Sequence, residues 1–234
     1  MITKVEVLES RRLTSSTHAV RFAKPDGFRF LPVQFCGLEL ETSQGNEEYS
    51  MSLACSPTKE YLEFGARLSE SPWKKAFASL RPGDEAEIDG PYGHFVLDEK
   101  HDALFIAGGI GITPLKGMAE YAADSKLPIR SAMVYSNRTR DDIPYAHELD
   151  ELVRANPRFQ LTHTLTREPE GSSWKGRRGR IDLSLIQEAA KGLVEPRYYI
   201  CGLPGMIRDA VGALLQAGVA RDRLVYEAFW GYED

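Results

Sequence analysis

The sequence predicts a two-domain chain: an N-terminal antiparallel β-barrel followed by an α/β domain built on a parallel sheet. Two observations predict it. Up to about residue 100 the chain runs through short alternating or β-rich segments separated by turn residues. Beyond that point apolar strand-like runs alternate with longer helical stretches, the rhythm of parallel strands joined by crossover helices. Length agrees, because 234 residues can bury a core without disulfides or metal and suit one large domain or two small ones. The boundary is expected at Asp98–Asp102, giving domains 1–98 and 99–234.

In the first half, strands are expected at Lys4–Leu8, Ala19–Ala23, Gln34–Leu40, Tyr49–Ala54, Tyr61–Ala66, Asp84–Ile88 and His94–Leu97. Pro25-Asp26-Gly27, Ser43–Asn46, Pro82-Gly83-Asp84 and Gly90–Gly93 supply the turns between them. One helical segment, Trp73–Leu80, interrupts the pattern. In the second half, strands at Ala103–Ala107, Arg130–Tyr135, Gln160–Thr166, Tyr198–Cys201 and Arg223–Ala228 alternate with helices at Pro114–Ala123, Tyr145–Ala155, Asp182–Ala190 and Pro204–Ala217. Ala103–Ala107 is continuously apolar, as a strand covered on both faces should be.

Composition narrows the function classes. With 42% apolar and 10% aromatic residues the chain is not disordered, and a net charge of −5 argues against a nucleic-acid partner. Cys36, Cys55 and Cys201 are too few for a disulfide framework or a four-thiolate iron–sulfur site, and no metal centre is expected. The longest uncharged run, Ala103–Leu115, carries three glycines and a proline and falls short of the roughly 20 apolar residues of a membrane span. The charged N-terminus is no secretory signal, so the expectation is a soluble cytoplasmic protein.

Two turns carry chemistry. Ala107-Gly108-Gly109-Ile110-Gly111-Ile112-Thr113-Pro114 leaves a buried strand and opens a helix. Glycines there let the backbone approach a pyrophosphate, free N–H groups at the helix start face the anion, and Pro114 suits a first helical turn. Without a ligand the same segment is simply a tight strand-to-helix turn. Tyr198–Met206 is a second strand-to-helix turn at the same end of the same sheet, where ligands of such sheets bind.

Taken together and in order, the segments resemble the ferredoxin–NADP reductase superfamily over nearly the whole chain. Pro32-Val33-Gln34-Phe35 is similar to its P-G-Q-F strand and Tyr49-Ser50-Met51-Ser52 to its flavin-binding R-x-Y-S segment. Leu80–Asp84 and Gly90–Phe95 are similar to its L-x-P-G-D and G-P-x-G-x-F turns. Gly109-x-Gly111-x-x-Pro114 resembles its nicotinamide-nucleotide loop, Cys201-Gly202-x-Pro204-x-Met206 its C-G-x-P-x-M turn, and Glu227-Ala228-Phe229 its C-terminal motif.

The resemblance implies an FAD-binding barrel followed by an NAD(P)-binding domain, with hydride passing from NAD(P)H to the flavin. By it, Tyr49 lies against the flavin ring, Ser50 bonds near its N5, Met51 and Ser52 complete that segment, and Phe229 covers the other face. Thr113, Cys201 and Glu227 line the nicotinamide pocket. Such hydride transfer needs stacked, well-placed rings and no protein nucleophile. The family arginine two residues before the tyrosine is replaced by Glu47, so FMN remains an alternative to FAD. Ser71-Pro72-Trp73-Lys74 and the ending Glu227–Tyr232 resemble a bacterial subgroup, which makes Lys74 and Arg67 the candidate phosphate cations. Ser136 and Arg138 end the second strand of the α/β half and Arg167 follows the third, as candidates for the adenosine end. Arg167-Glu168 is similar to NADPH-preferring members and Trp174–Gly179 to NADH-using ones, so NAD(P)H stays open. The expected electron acceptor is a small redox carrier such as a ferredoxin, flavodoxin or haem protein. The alternative is a flavin-binding subunit of a larger complex without turnover of its own.

Overall fold

The computed structural model describes residues 2–229. Its first six strands are β1 (Ile2–Thr14), β2 (Thr17–Ala23), β3 (Phe35–Thr42), β4 (Gly45–Ser52), β5 (Tyr61–Arg67) and β6 (Glu85–Tyr92), with helix α1 (Pro72–Ser79) between the last two. They form one antiparallel sheet in the order β4-β3-β6-β1-β2-β5. An isolated bridge from Leu53 to Phe64 brings its two edges together. Alternation sends Val5, Val7, Val20, Phe22, Leu38 and Ile88 to the inside. Helix α1 starts where Ser71 Oγ accepts the Lys74 backbone N–H and Pro72 occupies the first turn. It drives Trp73 and Phe77 into the barrel core, with Trp73 Nε1 donating to Leu38 O at 3.1 Å.

The second half contains β7 (Ala103–Gly108), α2 (Ile112–Asp124), β8 (Ser131–Asn137), α3 (Ala146–Ala155), β9 (Phe159–Leu165), β10 (Arg177–Arg178), α4 (Leu183–Ala189), β11 (Arg197–Gly202), α5 (Pro204–Gln216) and β12 (Leu224–Ala228). All its strands are parallel, in the order β10-β9-β8-β7-β11-β12. Helices α2 and α3 bury Leu115, Met118, Leu149 and Leu152 on one face of this sheet, and α4 and α5 bury Ile186, Ile207 and Leu214 on the other. The strand order grows outward from β7 in both directions, so the crevice between the ends of β7 and β11 is the topological switch point.

Two expectations change. His94–Leu97 is not a strand: β6 runs on to Tyr92, and the alternation beyond it belongs to a connector. Phe95 packs edge-on to Tyr199 at 6.0 Å, Leu97 joins the core of the second half, and the Asp98 N–H bonds Tyr199 Oη at 2.8 Å. The two-residue strand β10 lies in a run of exposed arginines that carries no hydrophobic pattern. Among the described residues no helix is long and apolar enough to cross a membrane. The expected C-terminal match reaches Tyr232, and its part beyond Phe229 lies outside the described residues.

The outer face of β2 and β5 is not solvent-facing. Ala19 and Ala54 from the barrel belong to the same apolar cluster as Leu115 and Tyr145, so the two sheets share a core.

Candidate active site at the junction of the two sheets

The glycines at the switch point are imposed by space. A Cβ on Gly111 would lie 2.5 Å from Cys201 O and 2.6 Å from Gly202 N, and one on Gly108 would lie 2.5 Å from Met206 Sδ. Only bare backbone lets the turn after β7 close against the turn after β11. Gly109 adopts φ +52°, a left-handed conformation that favours glycine. Thr113 Oγ1 donates to Ile110 O at 3.0 Å, and Tyr135 Oη braces Gly109 O at 2.9 Å.

These turns floor a cleft of about 740 Å³. Of the residues expected from sequence, Gly109, Gly111, Gly202, Pro204 and Met206 form its floor. Ser136, Arg138 and Arg167 line the side reached by β8 and β9, Arg67 enters from the barrel, and Phe229 stands at the edge with its N–H on Gly202 O at 3.0 Å. Thr113, Pro114 and Cys201 are buried beside residues of this lining. Cys201 and Glu227 are direct neighbours on β11 and β12. Burial, and for Cys201 the adjacent carboxyl, pushes both groups toward their protonated forms.

The β4 segment divides between its two faces. Tyr49 and Met51 share one face: Met51 joins the barrel core, while Tyr49 stacks on Trp73 at 4.7 Å and leaves its other side exposed. Ser50 and Ser52 therefore take the outer face, Ser50 exposed and Ser52 buried. The residues that follow reach the α/β half directly: a Cβ on Gly117 of α2 would lie 3.0 Å from Cys55 O and 3.2 Å from Leu53 O. Glu47 accepts from Thr42 Oγ1 at 3.0 Å. Lys74 is buried at the start of α1, where burial and the charge of Arg67 lower its pKa.

Sequence reasoning missed the hairpin Ser15–Thr17, which brings the barrel over the cleft, and it missed Arg180 and Arg208. Nothing local marks the hairpin. The arginines were visible as a basic run and as a surface helix residue, and only the fold turns them toward one cavity. Arg138, Arg167, Arg180 and Arg208 share that wall with Asp142 and Asp209. Among the described residues no group of three or more His, Cys, Asp or Glu is placed to hold a metal ion.

A cradle of bare backbone beside a strand-to-helix turn, facing arginines, suits a dinucleotide. Residues 105–212 match the oxidoreductase NAD-binding domain family. The ferredoxin–NADP reductase B of Sorangium cellulosum is 30% identical over 208 residues, covering 84% of each chain. The chain belongs to the ferredoxin–NADP reductase superfamily. Within that superfamily it is also 32% identical, over 88% of its length, to the glycine betaine monooxygenase reductase subunit of Pseudomonas aeruginosa, and it spans 58% of that relative. A ferredoxin–NADP+ reductase from Neisseria gonorrhoeae with bound FAD and NADP superposes with a TM-score of 0.82 at 20% identity, covering 97% of this chain and 98% of the other.

Proposed function

We propose that the chain is a flavin-dependent NAD(P)H oxidoreductase that takes hydride from NAD(P)H onto FAD and passes electrons to a separate redox carrier. The observation that carries this is the cleft at the switch point, with Arg67 and Ser15–Thr17 of the barrel facing the glycine cradle across one cavity. In this reading residues 1–98 form the FAD-binding domain and 99–234 the NAD(P)-binding domain. Bound flavin supplies the hydride-accepting and one-electron chemistry.

The chain's own residues bind and orient. Gly109, Gly111, Gly202 and the start of α2 take the nicotinamide dinucleotide's diphosphate, and Pro204 and Met206 shape its far side. Ser136, Arg138 and Arg167 hold the adenosine end, where a guanidinium fork suits phosphate. Arg67, Lys74 and the first turn of α1 hold the flavin's phosphates. Burial, and then the charge of Arg67, lower the pKa of Lys74, and a bound anion would favour its charged form. Thr113, Cys201 and Glu227 exclude water behind the nicotinamide, and Phe229 covers the flavin until nicotinamide displaces it. The segment Tyr49–Ser52 forms the barrel's side of the ring site: Tyr49 presents its exposed side, the hydroxyls of Ser50 and Ser52 are the hydrogen-bonding groups, and Met51 anchors the segment in the barrel core.

The relatives support an electron carrier as acceptor, since one is a reductase subunit of a monooxygenase and another a ferredoxin–NADP reductase. Reconstitution with FAD or FMN tests the flavin assignment. Lys74→Ala is expected to weaken flavin affinity by about tenfold or more, the loss of one charge-assisted contact. Wild-type flavin affinity in Lys74→Ala removes Lys74 from the phosphate site. Steady turnover with ferricyanide separates a reductase from a flavin-binding subunit without turnover.

A further inference from the structure

The junction of the two halves contains charges where apolar side chains would suffice. Glu63 of β5 is fully buried. Its Oε1 accepts from Arg11 Nη2 of β1 at 2.9 Å and Arg21 Nε of β2 at 3.0 Å, and its Oε2 accepts from Lys116 Nζ of α2 at 3.0 Å. Lys116 is 1% exposed, and its ammonium also meets Ala54 O at 2.9 Å and Glu120 Oε1 at 2.6 Å. All three of its N–H donors are used. Arg11 also pairs with Glu148 of α3. Over this knot lies Tyr145, with φ +58°, its ring centroid 4.9 Å from Lys116 Nζ and its hydroxyl buried without a hydrogen-bond partner among the described residues.

Cohesion alone does not call for this arrangement. Buried ion pairs are often no more stabilising than well-packed apolar residues of similar volume, and their best-attested use is to fix registry. The registry fixed here is that of α2. Lys116 sits three residues after Thr113, in the helix whose first turn closes the glycine cradle. On the barrel, Gly65 stands two residues after Glu63, and a Cβ there would lie 3.0 Å from Thr113 Cγ2 and 2.5 Å from Tyr145 Oη. A bidirectional charge contact resists sliding of α2 along β5, which an apolar contact of the same area would allow.

We propose that Glu63 and Lys116 are positioning residues that set the distance between the ring held by the barrel and the ring held by the α/β half. This rests on the flavin–nicotinamide reading above and extends it to residues that touch neither ligand. Hydride transfer requires reacting atoms about 3–3.5 Å apart, and a displacement of about 1 Å can cost about 100-fold. The knot acts on that distance.

The test compares wild type with Lys116→Met and with Glu120→Gln, a milder variant that keeps the Glu63–Lys116 contact and neutralises the second carboxylate on Lys116. Three quantities are measured: the limiting rate of flavin reduction by saturating NAD(P)H, the affinities for flavin and nucleotide, and amide hydrogen exchange of the flavin-free protein. Lys116→Met is expected to lower the limiting rate by about 10- to 100-fold, leave both affinities within about twofold, and speed exchange in the first turns of α2 and in β5. Glu120→Gln is expected to move the rate and the exchange in the same direction by a smaller factor, and it carries the test if Lys116→Met does not fold. A wild-type limiting rate in the folded variants overturns the proposal, as does a loss that falls on the affinities instead. Unchanged exchange around Thr113 and Gly65 overturns it too, even if the wild type is not reduced by NAD(P)H, a result that would count against the proposed function alone.

Discussion

Glu63 and Arg67 stand four residues apart on β5, yet they meet opposite surroundings. Glu63 is sealed between the halves and answered by three cations. Arg67 lines the open cleft, within range of Lys74's charge. Between them Gly65 lets Thr113 and Tyr145 approach the strand directly. One strand thus runs from a dry end, sealed between the halves, to a wet end that opens on the cleft. Buried charges persist when they are paired, whereas a charge at the edge of a cleft keeps access to solvent and to a ligand.

The most severe way to break the comparison is at the dry end. Glu63→Ala leaves Lys116, Arg11 and Arg21 without their shared carboxylate, and it is expected to cost about 3–5 kcal/mol of unfolding free energy in urea denaturation. A loss below about 1 kcal/mol, the level of an exposed pair, would mean the knot is hydrated. At the floor of the wet end, Gly111→Ala forces a Cβ into Cys201 O. NAD(P)H-driven flavin reduction is expected to fall by about 100-fold with flavin content retained, because misplacement of about 1 Å has that effect. Full activity would show that the two turns can part freely.

Arg167→Ala sharpens the description of the wet end. If its guanidinium meets a 2′-phosphate, kcat/KM for NADPH falls by about tenfold while that for NADH barely changes, the loss of one charge-assisted hydrogen bond. Equal losses for both would assign it to the diphosphate or to the surface. The smallest effect concerns pH. His163 lies 5.6 Å from Tyr135, which braces the glycine turn, and burial lowers its pKa. The unfolded chain then binds a proton near pH 6.5 that the folded chain declines, so stability is lost as pH falls below about that value. Burial and Arg12 give His18 the same sign. His163→Phe is expected to flatten the slope of unfolding free energy between about pH 7 and pH 5, and an unchanged slope would place the titration elsewhere.

Much of the fold was legible in the sequence because its signals are local. Turn glycines, the apolar run Ala103–Ala107 and the change of period near residue 100 each act within a few residues. The floor of the cleft was legible for the same reason, since Gly109, Gly111 and Gly202 are required by the turns that carry them. What escaped depends on residues far apart. Lys116 in a helix and Glu63 in an alternating strand have the chemistry of solvent-facing residues, and only the docking of α2 on β5 buries them together. His94–Leu97 had a strand's alternation because a connector between two cores also points alternate residues inward. The stack of Tyr49 on Trp73 escaped for the same reason, because it joins a strand to a helix more than twenty residues further along the chain.

The most direct measurement is anaerobic addition of NADPH or NADH to the protein after reconstitution with FAD or FMN, following the flavin's visible absorption. The proposed function predicts retained flavin and stoichiometric bleaching by at least one nucleotide. Protein that stays colourless after reconstitution, or flavin that remains oxidised in excess of both nucleotides, would contradict it.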